Sequence, residues 1–166
     1  MTLPTDNKIV SYAAITRLMR RARRQGKTIV FKSGCFDILH IGHISALSRA
    51  KLAGDVLVVG VGSDTTVRRL KGRARPLVPE GYRARTLAAL ACVDYVVILR
   101  EPLRGRIDHA KLVHLIRPTY YLPTPGDRAL EKKRKLAKLA GAKIKLIPSY
   151  SPLSSSALAE KLARLG

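Results

Sequence analysis

His40 and His43 lie three residues apart around Gly42, just downstream of an apolar run that closes at Gly34. Three kinds of chemistry suit such a pair. Zinc needs three or four ligands, completed by thiolates or carboxylates, and only Cys35 stands close in sequence, so the set is short. Two structural histidines with satisfied ring nitrogens form a second reading. The third is an anion cradle. Gly34 permits a sharp turn after a strand, and Gly42 leaves the backbone open to a phosphate. Imidazoles at i and i+3 share one face of a helix, where unpaired N–H groups and the helix dipole favour negative charge.

The elements that must position this pair alternate along the chain. Residues 10–25 carry apolar positions at helical spacing, with Ser11 as cap and Gly26 as stop. Residues 28–31 read as a short buried strand, 44–53 as a helix, and 55–62 as a strand apolar enough to be covered on both faces. Further helices are expected at 81–93, 106–116, 128–140 and 154–165, and further strands at 94–99, 119–122 and 142–147. Strictly alternating strands and helices call for right-handed crossovers onto a parallel sheet. The expected fold is α/β: a Rossmann-like, doubly wound, five-stranded parallel sheet with helices on both faces. It forms one domain over residues 1–166, with an N-terminal helix at about 10–25 and the core from about 27. Ligands of such folds bind beyond the carboxyl ends of the strands, and the histidines follow the first strand.

Composition limits the partners. The 166 residues include 32 Lys and Arg against 11 Asp and Glu, a formal net charge of +21. That field attracts polyanions: nucleotides, phosphorylated metabolites or nucleic acid. No apolar run reaches the roughly 18–20 residues of a membrane span, and the N-terminus lacks the pattern of a secretory signal. Cys35 and Cys92 are unpaired in spacing, which fits a reducing cytoplasm. The lysine-rich stretch 131–145 reads as a solvated helix face, with nucleic acid as its less favoured partner.

The stretch Gly34-Cys35-Phe36-Asp37-Ile38-Leu39-His40-Ile41-Gly42-His43 resembles the signature of the cytidylyltransferase-like nucleotidyltransferases. Residues 62–72 and 75–98 extend the likeness, which is strongest to the adenylyltransferase domain of bacterial ADP-heptose synthases. The resemblance implies that His40 and His43 bind and neutralise a nucleoside triphosphate. Lys71, following the loop after the second strand, would reach phosphates of nucleotide or acceptor, and Arg83 would help hold phosphate. Gly34, Cys35, Phe36, Asp37 and Gly42 would line the nucleotide site. Ser154, Ser155 and Ser156 match the hydroxyl-rich motif that opens the last helix. Asp37 reads equally as a cap for the turn that follows it. Mg²⁺ is the implied cofactor, and a homodimer is common in the family.

The pattern departs from the family after the fourth strand. ADP-heptose synthases carry Lys-Gly-Gly-Asp-Tyr where residues 122–128 read Leu-Pro-Thr-Pro-Gly-Asp-Arg, so Asp127 is retained without the lysine or the tyrosine. Gly62 stands where Asn is common. The resemblance thus implies transfer of a nucleoside monophosphate, from ATP in the first instance, to a phosphorylated small molecule such as heptose 1-phosphate, with release of pyrophosphate. Alternatives are a glycerol-phosphate or ethanolamine-phosphate cytidylyltransferase, an FAD synthetase, or a non-enzymatic nucleotide- or nucleic-acid-binding protein of the same fold.

Overall fold

β1 (Ile29–Gly34), β2 (Val56–Gly62), β3 (Tyr95–Leu99), β4 (Tyr120–Tyr121) and β5 (Lys143–Ile144) form one parallel sheet in the order β3-β2-β1-β4-β5. The helices are α1 (Tyr12–Arg24), α2 (Ile41–Lys51), α3 (Asp64–Lys71), α4 (Glu80–Ala88), α5 (Ala110–Ile116), α6 (Leu130–Ala140) and α7 (Ser155–Ala163). The computed structural model describes residues 4–102, 107–148 and 155–164.

Strand alternation separates two cores. Ile29, Phe31, Val56, Val58, Val97 and Tyr121 pack against Ile15 and Met19 of α1, Leu112 and Ile116 of α5 and Leu136 of α6. Val30, Leu57, Val59, Val61 and Leu122 point the other way, onto Leu47 and Ala50 of α2 and Ala84 and Leu87 of α4. Helices therefore cover both faces, as a doubly wound sheet requires. Because β2 lies on one side of β1 and β4 on the other, the chain switches direction at β1, opening a crevice beyond its carboxyl end.

Several boundaries differ from the sequence-based expectation: α5 starts at Ala110 and β5 spans only Lys143–Ile144, and four further differences bear on the site. β1 continues through Lys32, Ser33 and Gly34, which pair with Val59, Gly60 and Val61 of β2. α2 starts at Ile41 instead of residue 44. The segment after β2, expected as a loop, is α3, capped by the Ser63 hydroxyl accepting from the Thr66 N–H at 3.2 Å. α4 ends at Ala88, because the following residues bend so that the Leu90 and Val93 carbonyls accept from Lys8 Nζ at 3.3 and 2.8 Å.

Polar ties fix the frame around these elements. Asp94 accepts from the Leu57 N–H at 2.7 Å and from Lys51 Nζ at 2.6 Å, joining α2, β2 and the start of β3. Ser11 caps α1 through the Ala14 N–H at 3.2 Å. Ahead of α1, Ile9 bridges Val96 in parallel and the Val10 N–H donates to the Val96 carbonyl at 2.9 Å, so this segment runs along the outer edge of β3.

Candidate functional site

The chain leaves β1 at Gly34 and turns through Phe36, which adopts a φ of 51°. A Cβ on Gly34 would stand 3.0 Å from the Phe36 ring, so glycine is needed for that ring to fold back over the strand end. The Phe36 ring then meets His43 edge-on, with centroids 5.2 Å apart. His40 is itself the cap of α2: its Nδ1 accepts from the Gly42 N–H at 3.2 Å. Its ring stacks on that of His43 with centroids 3.9 Å apart and planes tilted by 32°. The cap, one of the two roles read for Asp37, is made here by His40.

Burial pushes the His43 imidazole down to about 4, helped by the positive fields of His40, Lys71 and Lys32 and opposed by the Ile38 carbonyl. Burial and Lys71 lower His40 as well. At neutral pH this arrangement offers neutral imidazoles, able to donate N–H bonds to phosphate oxygens. Nδ1 of His43 is buried with no partner in hydrogen-bonding geometry.

Two adjoining lobes open here. The first, about 250 Å³, is lined by His40, Gly42, His43, Lys71, Lys32, Thr124 and the opening residues of α7. The second, about 330 Å³, lies between α3, α5 and α6 and is lined by Cys35, Lys71, Asp108, Asp127, Arg128 and Lys133. Ser33, Gly34, Lys71 and Thr124 border both lobes. Ser155 is buried and donates its hydroxyl to the Ile38 carbonyl at 3.1 Å, whereas Ser156 is exposed at the rim. Ser154 lies outside the described residues. Burial raises the Cys35 thiol, against Lys71 and Arg83, so Cys35 offers a protonated thiol and a backbone carbonyl.

Two of the expected phosphate or nucleotide contacts are turned inward. Arg83 is 1% exposed and borders neither lobe. Its guanidinium donates to the carbonyls of Val78 and Gly62, each at 2.8 Å, to the carbonyl of Cys35, and to Asp64 at 2.6 Å. It fastens the ends of β1 and β2 to the start of α3. Asp37, also 1% exposed, accepts from Arg75 and from the N–H groups of Leu77 and Val78 at 2.7 and 3.1 Å. Both side chains shape the cleft from behind because their hydrogen-bonding capacity is spent on the scaffold.

Sequence reading missed several polar residues of this region. Lys32 is 4% exposed, and its Nζ donates to the Leu122 carbonyl at 3.1 Å and the Thr124 hydroxyl at 3.4 Å. Lys133 holds Asp127 at 2.6 Å. Burial would raise Asp127, but the bond and charge of Lys133 and the Ala129 N–H outweigh it and hold the carboxyl below its usual range. His109 bridges Asp108, at 3.0 Å, and the Tyr121 hydroxyl, which lies 3.4 Å from Ser33 Oγ. Burial lowers His109, with the Asp108 bond opposing. Only the Asp127–Lys133 and Asp108–His109 ties are local in sequence; the others join residues about 90 and 12 positions apart.

Helix N-termini, histidines and lysines gathered at the switch point of a doubly wound parallel sheet make an anion-favouring crevice where such α/β folds bind their ligands. Residues 31–161 match the family model described as cytidylyltransferase-like, and the chain belongs to that family. It is 39% identical over 162 residues to the bifunctional protein HldE of Citrifermentans bemidjiense, covering 95% of this chain and 32% of that protein. The likeness to HldE of Syntrophotalea carbinolica is also 39%, over 96% of this chain and 32% of that one. The chain thus spans about a third of the length of these relatives. Among solved structures, the lipopolysaccharide core biosynthesis protein of Thermoplasma volcanium matches with a TM-score of 0.61 at 30% identity, covering 76% of this chain and 98% of that one. Pantoate-beta-alanine ligase of Francisella tularensis shares the fold alone, with a TM-score of 0.63 at 17% identity over 94% of this chain and 77% of that one.

Proposed function

We propose that this chain is a nucleotidyltransferase that moves a nucleoside monophosphate, from ATP in the first instance, onto the phosphate of a small acceptor, a sugar 1-phosphate such as heptose 1-phosphate. The observation that carries this reading is the stacked His40/His43 pair at the start of α2, sharing one lobe with Lys71. Membership of the family and the named relatives, one of them a lipopolysaccharide core biosynthesis protein, support the sugar-phosphate acceptor.

An acceptor phosphate oxygen attacks the α-phosphorus; a new P–O bond forms as the bond to the β-phosphate oxygen breaks, and pyrophosphate leaves. The acceptor is already anionic at neutral pH, so no general base is needed. The protein's part is positioning and charge neutralisation. His40 and His43 donate to the triphosphate. Lys71, common to both lobes, meets phosphate oxygens of nucleotide and acceptor together. Among the described residues no group of three or more His, Cys, Asp or Glu could hold a metal by itself. The Mg²⁺ the family implies would therefore take oxygen ligands mainly from the phosphates and water, and would neutralise their charge. No helix among the described residues is long and apolar enough to cross a membrane. A homodimer is the assembly carried over from the family, read by sedimentation.

Pyrophosphate release with Mg²⁺ tests the reading, with ATP and CTP set against phosphorylated sugars and alcohols. The expected result is release with one nucleotide–acceptor pair, falling on the order of 10²- to 10³-fold in His43→Ala. Silence across the panel, with tight salt-sensitive binding to RNA or DNA, overturns it.

A further inference from the structure

Lys32 stands out among the polar residues that border the cleft. It is 4% exposed, yet both oxygens that receive its ammonium, the Leu122 carbonyl and the Thr124 hydroxyl, are neutral. Asp127, the carboxylate whose field reaches it, is bound to Lys133 at 2.6 Å. A buried charge is costly unless it is paired, and here the pairing is incomplete. An ammonium has three N–H donors; two are held by the end of β4, leaving one. The side chain borders the same lobe as His40, His43 and Lys71. The remaining N–H is thus placed to meet an anion inside that lobe.

We propose that Lys32 is an anion-binding residue of the cleft, its ammonium donating to a phosphoryl oxygen of a condensed phosphate while Leu122 and Thr124 hold it in aim. This rests on reading the lobe as a triphosphate site and adds a contact from the β1–β4 side to the histidines of α2. Catalytic benefit follows if the phosphate held there gains charge as pyrophosphate departs, since a fixed ammonium in a dry cleft meets that charge without reorganising.

The same geometry makes the contact depend on pH. In the empty cleft burial lowers the Lys32 ammonium to about 8, with the charge of Lys133 adding to the effect and Asp127 opposing it. The other titratable groups lining its lobe are His40 and His43 at the start of α2 and Lys71 at the end of α3. Burial lowers both histidines, which are therefore neutral throughout the alkaline range. A bound polyphosphate restores the proton on Lys32, so binding near and above pH 8 takes up protons.

Inorganic tripolyphosphate tests this without acceptor, nucleotide or turnover. Calorimetric titration of wild type, Lys32→Met and Lys32→Arg at pH 7 and pH 9.5 gives the affinities, and comparing wild type with each variant cancels the titration of the ligand. Lys32→Met is expected to bind on the order of 10-fold more weakly at pH 7, the scale of one hydrogen bond to a charged group. At pH 9.5 that gap closes to about twofold, because the wild-type ammonium is then largely deprotonated before binding. Lys32→Arg, which stays charged, keeps its affinity advantage over Lys32→Met at both pH values. Equal binding by wild type and a normally melting Lys32→Met at pH 7 overturns the proposal. So does a gap that is unchanged at pH 9.5. Should Lys32→Met not fold, Lys32→Arg serves as the reference: titrations at pH 8.5 in two buffers of different ionisation heat show more proton uptake by wild type than by Lys32→Arg, and equal uptake overturns the proposal. Pyrophosphate release by a wild type indifferent to Lys32→Met would sink this inference alone. Lysine-dependent tripolyphosphate binding without any release would sink only the transferase reading.

Discussion

Replacing Arg83 by methionine should damage folding before chemistry. The guanidinium donates to three backbone carbonyls, from Val78, Gly62 and Cys35, and to the Asp64 carboxylate. Breaking a buried ion pair costs about 3–5 kcal/mol. Asp64 keeps 26% of its side chain exposed, so water recovers part of that loss and the low end, about 3 kcal/mol, applies. Stranding the carbonyls adds about 1 kcal/mol each where water cannot reach them. The sum is about 4–6 kcal/mol, a large share of the roughly 5–15 kcal/mol that holds a typical domain folded. For a chain of this length it corresponds to a melting temperature lower by roughly 10–20 °C. Urea denaturation at constant m-value is the assay, and Arg83→Lys, which keeps the charge and part of the bonding, should fall between. If Arg83 instead served a phosphate, Arg83→Met would melt near wild type while turnover collapsed. A stability loss under about 1 kcal/mol would refute the scaffold role.

Gly34→Ala should displace the Phe36 ring, 3.0 Å from the added methyl, and with it the edge contact to His43. The expected result is a raised KM for the nucleotide and a loss of about 1–3 kcal/mol; an unchanged KM would mean that the ring does not set the histidine's position. Asp94→Ala, which frees the Leu57 N–H and Lys51, should cost about 1–2 kcal/mol in urea melts and leave KM untouched. Acid should weaken the fold before most carboxylates titrate. His43, near 4 when folded against about 6.5 unfolded, binds fewer protons folded than unfolded. Its contribution is complete above pH 6.5 and is lost as pH falls through 4, amounting to at most about 3 kcal/mol. Burial of His109 acts in the same direction. Urea melts at pH 7, 5.5 and 4.5 read this, and His43→Gln should flatten part of the decline; equal stability at pH 7 and 4.5 would exclude it.

The parts legible in the sequence were those whose cause is local. Val56–Gly62 could be recognised as a two-faced strand because each residue is apolar or glycine and every one is buried. His40 and His43 could be paired because a cap residue and the residue three positions on stand on one side of a helix start. The end of β1 was hidden because Lys32 and Ser33 look like a strand terminus, although they continue the ladder and turn their polar groups toward the cleft. α3 was hidden because it buries only Thr66 and Val67, leaving its caps, Ser63 and Gly72, as the signal. The burial of Arg83 could not be foreseen, since its four acceptors come from positions between 5 and 48 residues away and converge only after the sheet has formed.

The residues laid along β3 also bear on how the molecule behaves among its own copies. An outermost strand presents unpaired N–H and C=O groups that invite another strand to join. Here Ile9 and Val10 occupy part of that row, Lys8 reaches Leu90 and Val93, and Arg85 reaches back to Asp6 at 3.3 Å. At the opposite border, β5 offers a pairing surface only two residues long. One margin is blunted by its own chain and the other by brevity, so a sheet that carries a wholly aliphatic and glycine strand in β2 gives little purchase for end-to-end growth into fibres.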